Sequence, residues 1–172
     1  MRRPSSLKLD WRQRAAFFII ALLVVSVDQL SKLLIELNLD VGESIPEMGF
    51  FRFTHIHNTG ASFGLFQDQS LVLAIAGIVG IGVLLYLILF MYRRITFLST
   101  TSVKISLGLM LGGVIGNLID RLSSGYVTDF IDFSFWPAFN VADSATVVGA
   151  IILAYSLLRL AKSDELSDGK DT

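Results

Sequence analysis

The chain has 172 residues, 53% of them hydrophobic and only 17% charged, with a mean hydropathy of +0.65. A soluble domain averages about a quarter charged residues, so this chain carries too much apolar surface for water and points to a bilayer as its solvent. A net charge of −1 excludes a global basic field for nucleic acid, and the absence of cysteine excludes thiol catalysis, disulfides and cysteine-based metal sites.

The first apolar run extends from Ala15 to about Leu37, behind Arg2, Arg3, Lys8, Arg12 and Arg14. A cleavable signal peptide has the same charged start and apolar centre. Here, however, the run continues into DQLSK with no small-residue cleavage site, so a retained span is expected. Within it Asp28 and Lys32 are spaced i, i+4 and share one helix face. An unpartnered charge at mid-span costs about 2.5–3.5 kcal/mol, so the two read either as a structural ion pair or as a grip on a ligand.

The loop that follows, about 38–70, contains FFRFTHIHNTGASFG. Alternation from Phe51 to Ile56 predicts a strand, and Asn58-Thr59-Gly60 predicts the turn after it. His55 and His57 lie at i, i+2, which invites a metal. A catalytic zinc wants three protein ligands, these are the only two histidines, and no HExxH occurs, so no metal site is expected. No serine stands in a Ser–His pattern either.

The clearest span, 71–92, holds no charge before Arg93 and is about 33 Å long at the helical rise. The third, about 98–122, ends in GGVIGNLIDRL, which gathers Asn117, Asp120 and Arg121 at one end of a helix. Arg121 offers five donors suited to a peptide carbonyl or a lipid headgroup. Gly108, Gly112 and Gly116 recur every four residues, the spacing of close helix packing.

The loop 122–140 carries GYVTDFIDF, rich in strand formers and predicted to be a short sheet over the membrane surface. FNVADS then opens the fourth span, 141–161, with Asn140 and Asp143. Asp129, among apolar neighbours, should favour its protonated form by desolvation, while helix-end amides favour ionised Asp143. Two carboxyls in unlike surroundings can divide proton donation from water activation, as in aspartic peptidases. The tail 162–172 mixes acidic, polar and basic residues and is expected to be disordered from Ser163.

Lysine and arginine cluster before span one, between spans two and three (Arg93, Arg94, Lys104) and after span four (Arg159, Lys162), whereas Arg52 stands alone in the other two loops. Both termini are therefore expected in the cytoplasm and those loops outside. Asp28, Lys32, Asn117, Asp120, Arg121, Asn140 and Asp143 then all fall in the outer half of the membrane or at its surface. A small proton-coupled transporter or channel is the alternative for intramembrane Asp28, Asp120 and Asp143, but it would need polar residues through the full depth.

Taken together, DQLSK (28–32), NTGASFG (58–64), GGVIGNLIDRL (112–122), VTDFIDF (127–133) and FNVADS (139–144) resemble one family, lipoprotein signal peptidase (signal peptidase II), over nearly the whole chain. The resemblance implies a single domain: an all-α membrane bundle of four transmembrane helices with a small extracytoplasmic β-cradle, beside a short mobile helix. It implies an aspartic endopeptidase that needs no cofactor and cuts diacylglyceryl-modified prolipoproteins just before the lipidated cysteine, in the bacterial cytoplasmic (inner) membrane. By that resemblance Asp129 and Asp143 are catalytic, and Asp28, Lys32, Asn58, Asn117, Arg121 and Asn140 line the substrate site. Asp120 is expected to be structural, orienting Arg121. Prolipoprotein substrates and membrane lipids are the expected partners, with no nucleic acid and a monomer as the working unit. The sequence departs from the family's N-x-G-A-A-F at Ser62, a residue small enough to leave the fold unharmed.

Overall fold

The computed structural model describes residues 6–61, 65–91 and 100–168. Arg2, Arg3, Arg93, Arg94 and Ser62 lie outside them. Four helices are long and apolar enough to cross a membrane: Ala15–Asn38, Ser70–Phe90, Thr101–Ser123 and Val141–Lys162. They belong to α1 (Ser6–Asn38), α2 (Ser70–Tyr86, continued by a π-helical turn, Leu87–Met91), α3 (Thr101–Ser123) and α4 (Val141–Asp168). Strands β1 (Ser44–Ile45), β2 (Phe51–Asn58), β3 (Val127–Phe133) and β4 (Trp136–Phe139) form one antiparallel sheet in sequence order. The expected membrane bundle with a small sheet is the fold observed.

Helix α3 is the axis of the bundle, packing against the other three. The glycine stripe explains how. A Cβ on Gly112 would come within 2.8 Å of the Ala21 carbonyl, and one on Gly108 would meet Ile20 and the Phe17 carbonyl. Only a bare backbone lets α1 approach this closely, which substitutes main-chain van der Waals contact for the hydrophobic drive that lipid does not supply. Gly149 does the same for α4, against Met110 and the Ser106 carbonyl.

Because α1 and α3 run in one direction and α2 in the other, the early residues of α1 and α3 meet the late residues of α2. Phe17, Ala21, Leu84, Ile88, Val103, Leu107 and Leu111 form the buried apolar cluster at that end. The buried polar groups Asp28, Lys32 and Asn140 lie at the opposite end. No chain of polar side chains crosses the bundle among the described residues, which removes the support for a proton relay.

Strand β2 turns polar residues inward and apolar ones outward, whereas β3 buries Val127 and Phe130 along with Thr128 and Asp129. Phe51, Phe53 and Ile56 of β2 are exposed, while Thr54 and His55 are buried. Those two consecutive buried residues are admitted by a bulge between Phe53 and Ile56, where the pairing with β3 shifts by one residue. His55 Nδ1 donates to the Leu39 carbonyl at 2.9 Å, so its Nε2 is left to accept from His57 Nε2, 3.2 Å away. His57 stacks on Tyr126. The rings thus pack the sheet onto the C-terminal end of α1, and no metal-holding group occurs among the described residues.

Two expectations are corrected. Helix α4 continues to Asp168, into the tail expected to be unstructured from Ser163; Lys, Glu and Leu propagate a helix already nucleated by a span. No helix forms beside the sheet among the described residues of the 59–69 segment: Phe66 and Asp68 take left-handed φ values of 56° and 59°, which a right-handed helix cannot contain.

Candidate active site

Asn140-Val141-Ala142-Asp143 begins α4 as a capping box. The Asp143 N–H donates to Asn140 Oδ1 at 2.9 Å, and the Asn140 N–H donates back to Asp143 Oδ2 at 3.3 Å. This reciprocal pair satisfies two amides that the helix end would leave orphaned. It also fixes the amide of Asn140, because the oxygen is spent on α4 and the nitrogen must face elsewhere. Asn140 Nδ2 donates to Asp129 Oδ1 at 2.7 Å. One fully buried residue therefore holds both carboxyls, Asp143 by its main chain and Asp129 by its side chain.

Asp129 comes from β3. The register places Asn58 opposite Val127, so Asn58 is a diagonal neighbour of Asp129 on the same sheet face, and its Nδ2 donates to Asp129 Oδ2 at 2.8 Å. Asp129 is 2% exposed. Burial, then the charge of Asp143, pushes its carboxyl up to about 7, against the pull of the Asn58 and Asn140 hydrogen bonds and the charge of Lys32. The desolvation argued from its apolar sequence neighbours thus acts in the expected direction.

Asp143 is completed by Asn117, whose Nδ2 donates to Oδ1 at 2.7 Å. Beside them Arg121 Nη2 donates to the Gly60 carbonyl at 3.1 Å, tying the loop after β2 to α3, while its Nε is buried without a partner among the described residues. Two cavities meet at Asp143. One of about 260 Å³ lies between α2, α3 and α4, with Asn117 and Arg121 in its wall. The other, about 390 Å³ and mostly apolar, lies between β4 and α4 against Trp136, Phe139 and Val148.

A family model described as Signal peptidase (SPase) II matches residues 20–159. The chain belongs to the signal peptidase II family. It is 47% identical over 143 residues to the lipoprotein signal peptidase of Moorella thermoacetica, covering 83% of this chain and 92% of that protein. It is 43% identical over 155 residues to that of Dehalococcoides mccartyi, covering 90% and 95%. Two solved structures described as bacterial membrane enzymes are similar, with TM-scores of 0.74 (27% identity, 92% of this chain and 93% of the other) and 0.70 (30% identity, 84% and 93%).

This signal peptidase II chain does not place all its motif residues alike. Asp28 is wholly buried and Lys32 is 3% exposed, and each is engaged by polar partners inside the bundle. Asp28 accepts from Lys32 Nζ at 2.8 Å and from the Ala142 N–H at 2.9 Å. It is a cap on α4 supplied by α1. The direct partners of the Asp120 carboxylate among the described residues are Lys32, paired at 2.6 Å, and Gln29, from which it accepts at 2.8 Å. Successive helical residues point about 100° apart, so Asp120 faces α1 while Arg121 faces the cavity side.

Gln29, Arg52, Glu36 and Thr128 received no role from the sequence. Arg52 pairs with Asp132, directly across the sheet, and Thr54 donates to the same carboxylate at 3.1 Å. Asp132, the second acid of the β3 motif, therefore braces strands. Thr128 donates to Glu36 at 2.6 Å, pinning β3 to α1 one residue from Asp129. The signal for Arg52 was its solitude among the outer loops; for Gln29 it was a polar residue flanked by an ion pair inside an apolar run.

Proposed function

We propose that this peptidase removes signal peptides from diacylglyceryl-prolipoproteins, with Asp129 and Asp143 as the catalytic pair. The observation that carries this is the double hold of Asn140 on both carboxyls. A peptidase of this family needs a water activated and a carbonyl polarised at one point, and two adjacent carboxyls sharing a proton do both. Asp129 begins protonated, as its burial favours, and Asp143 begins ionised. Asp143 takes a proton as water adds to the scissile carbonyl carbon, while Asp129 gives its proton to the carbonyl oxygen. The resulting tetrahedral diol collapses when the cysteine nitrogen takes a proton from Asp143 and the C–N bond breaks. Asp129 then recovers its proton from the diol. No cofactor enters.

The bundle works alone in the bacterial cytoplasmic membrane. Its termini lie in the cytoplasm and the site lies at the outer face, in keeping with the lysine and arginine distribution. A lipidated cysteine keeps its acyl chains in the bilayer, so the bond preceding it meets the pair at the lipid–water boundary, and Arg121 with Asn58 holds substrate carbonyls in register. In a gel-shift assay with purified diacylglyceryl-prolipoprotein, wild-type protein releases the signal peptide, and Asp129→Asn and Asp143→Asn each abolish release while still inserting. Substantial cleavage by either variant would overturn the pair.

A further inference from the structure

Asn117 accepts two N–H donors on Oδ1, from Lys32 Nζ at 3.1 Å and Asn140 Nδ2 at 3.2 Å, and it donates through Nδ2 to Asp143. An amide has two ends that differ only in which donates, so something must decide which end faces the catalytic carboxylate. A turned amide would put its NH₂ against two donors and its oxygen against the carboxylate of Asp143. An ammonium carries three donors and no acceptor, so Lys32 cannot adapt to the turned form. Lys32 in turn cannot move aside. Asp28 Oδ2 holds it at 2.8 Å and Asp120 Oδ2 at 2.6 Å, and Gln29 bonds to both of those carboxylates.

Resting on the catalytic pair proposed above, we infer that Lys32 is a positioning residue that acts through Asn117, fixing its amide so that an N–H always faces Asp143. Asp28, Asp120 and Gln29 form the socket for the ammonium. Asp143 thereby keeps one oxygen on the Asn117 amide and the other on the Asn140 main chain, and its remaining lone pairs are aimed at a water rather than free to rotate. Lys32 touches neither substrate nor the reacting atoms. Its effect belongs in turnover and not in substrate affinity, and the part carried by the amide should vanish once Asn117 is gone, leaving only the smaller direct pull of its charge on Asp129.

The test is a double-mutant cycle on full-length protein in detergent or bicelles, with diacylglyceryl-prolipoprotein as substrate. Lys32→Met is expected to lower kcat by up to about a hundredfold, the cost of misplacing a catalytic group from a distance, with KM unchanged. Lys32→Arg, which keeps a donor-only cation, should recover part of the loss. Added to Asn117→Ala, Lys32→Met should cost little more. A raised KM with unchanged kcat, or full additivity, would overturn the inference and leave the catalytic pair standing, since that pair is judged by Asp129→Asn and Asp143→Asn alone. Should Lys32→Met fail to fold because it strands the carboxylates of Asp28 and Asp120, the charge-balanced Lys32→Met/Asp120→Asn takes its place in the same cycle. Asn117→Asp is a second probe, because it keeps an acceptor toward Lys32 and removes the donor toward Asp143. It should fold and lose kcat; retention of wild-type kcat would also overturn the inference.

Discussion

The amide of Asn58 and the carboxyl of Asp129 meet at 2.8 Å across the β2–β3 pairing, so a residue of β2 helps set the proton affinity of an acid in β3. Asn58 favours the ionised form. Removing it in Asn58→Ala should raise the Asp129 proton affinity by roughly half a unit to one unit, the worth of one hydrogen bond. The alkaline limb of kcat/KM should move to higher pH by that amount. An unmoved limb would separate Asn58 from the titrating group.

The wild-type pH profile itself carries the sign of Asp129. Its carboxyl titrates at about 7, and only the protonated form can donate, so the alkaline limb of kcat/KM should fall about tenfold per unit well above pH 7. The same shift works against folding. With a native value above the unfolded one, the penalty is absent below about pH 4, grows as pH rises toward 7 and then levels off. Asp129→Asn should therefore melt higher than wild type at pH 8 and about equal to it near pH 4. Equal melting at both pH values would mean that burial does not tax the Asp129 charge.

Asp28 joins α1 to the first turn of α4 and neutralises Lys32 with no exposed surface. Asp28→Ala leaves the ammonium against Asp120 alone and uncaps the Ala142 N–H. Losing one partner of a buried pair costs about 3–5 kcal/mol. Thermal unfolding in detergent should show the loss, and Asp28→Asn should restore a part of it by keeping the acceptor for Ala142.

The close approach of α1 and α3 at Gly112 leaves no space for a side chain. Gly112→Val forces the helices apart and strains the contact by about 1–3 kcal/mol or more. Because Lys32 reaches Asn117 across this same interface, activity should fall along with melting temperature. Gly80, inside α2, where an added Cβ would meet nothing within 4 Å, provides the control, and Gly80→Ala should leave activity unchanged and lower the melting temperature not at all.

Much of this was local, and local patterns are readable in a chain. Charge-free or nearly charge-free runs of twenty or so residues can only be spans, and Asn140 and Asp143 stand at the i, i+3 spacing of a capping box. Asp129 amid valine, phenylalanine and isoleucine announces a desolvated acid. Other features depend on which surfaces meet. Asp28 and Lys32 could have gripped a ligand or locked helices; the bare backbone at Gly112 and Gly116 brings α1 so close to α3 that the pair is sealed inside. Whether Asp120 serves Arg121 or Lys32 turns on the rotation of α3 about its own axis, which neighbouring helices set. The meeting of Asn58 with Asp129 requires a sheet register that passes through a bulge no alternation pattern reveals. The spans, the cap and the acids are legible in the chain alone, because each is written within a few turns. Which polar group faces which is set by packing between segments a hundred residues apart.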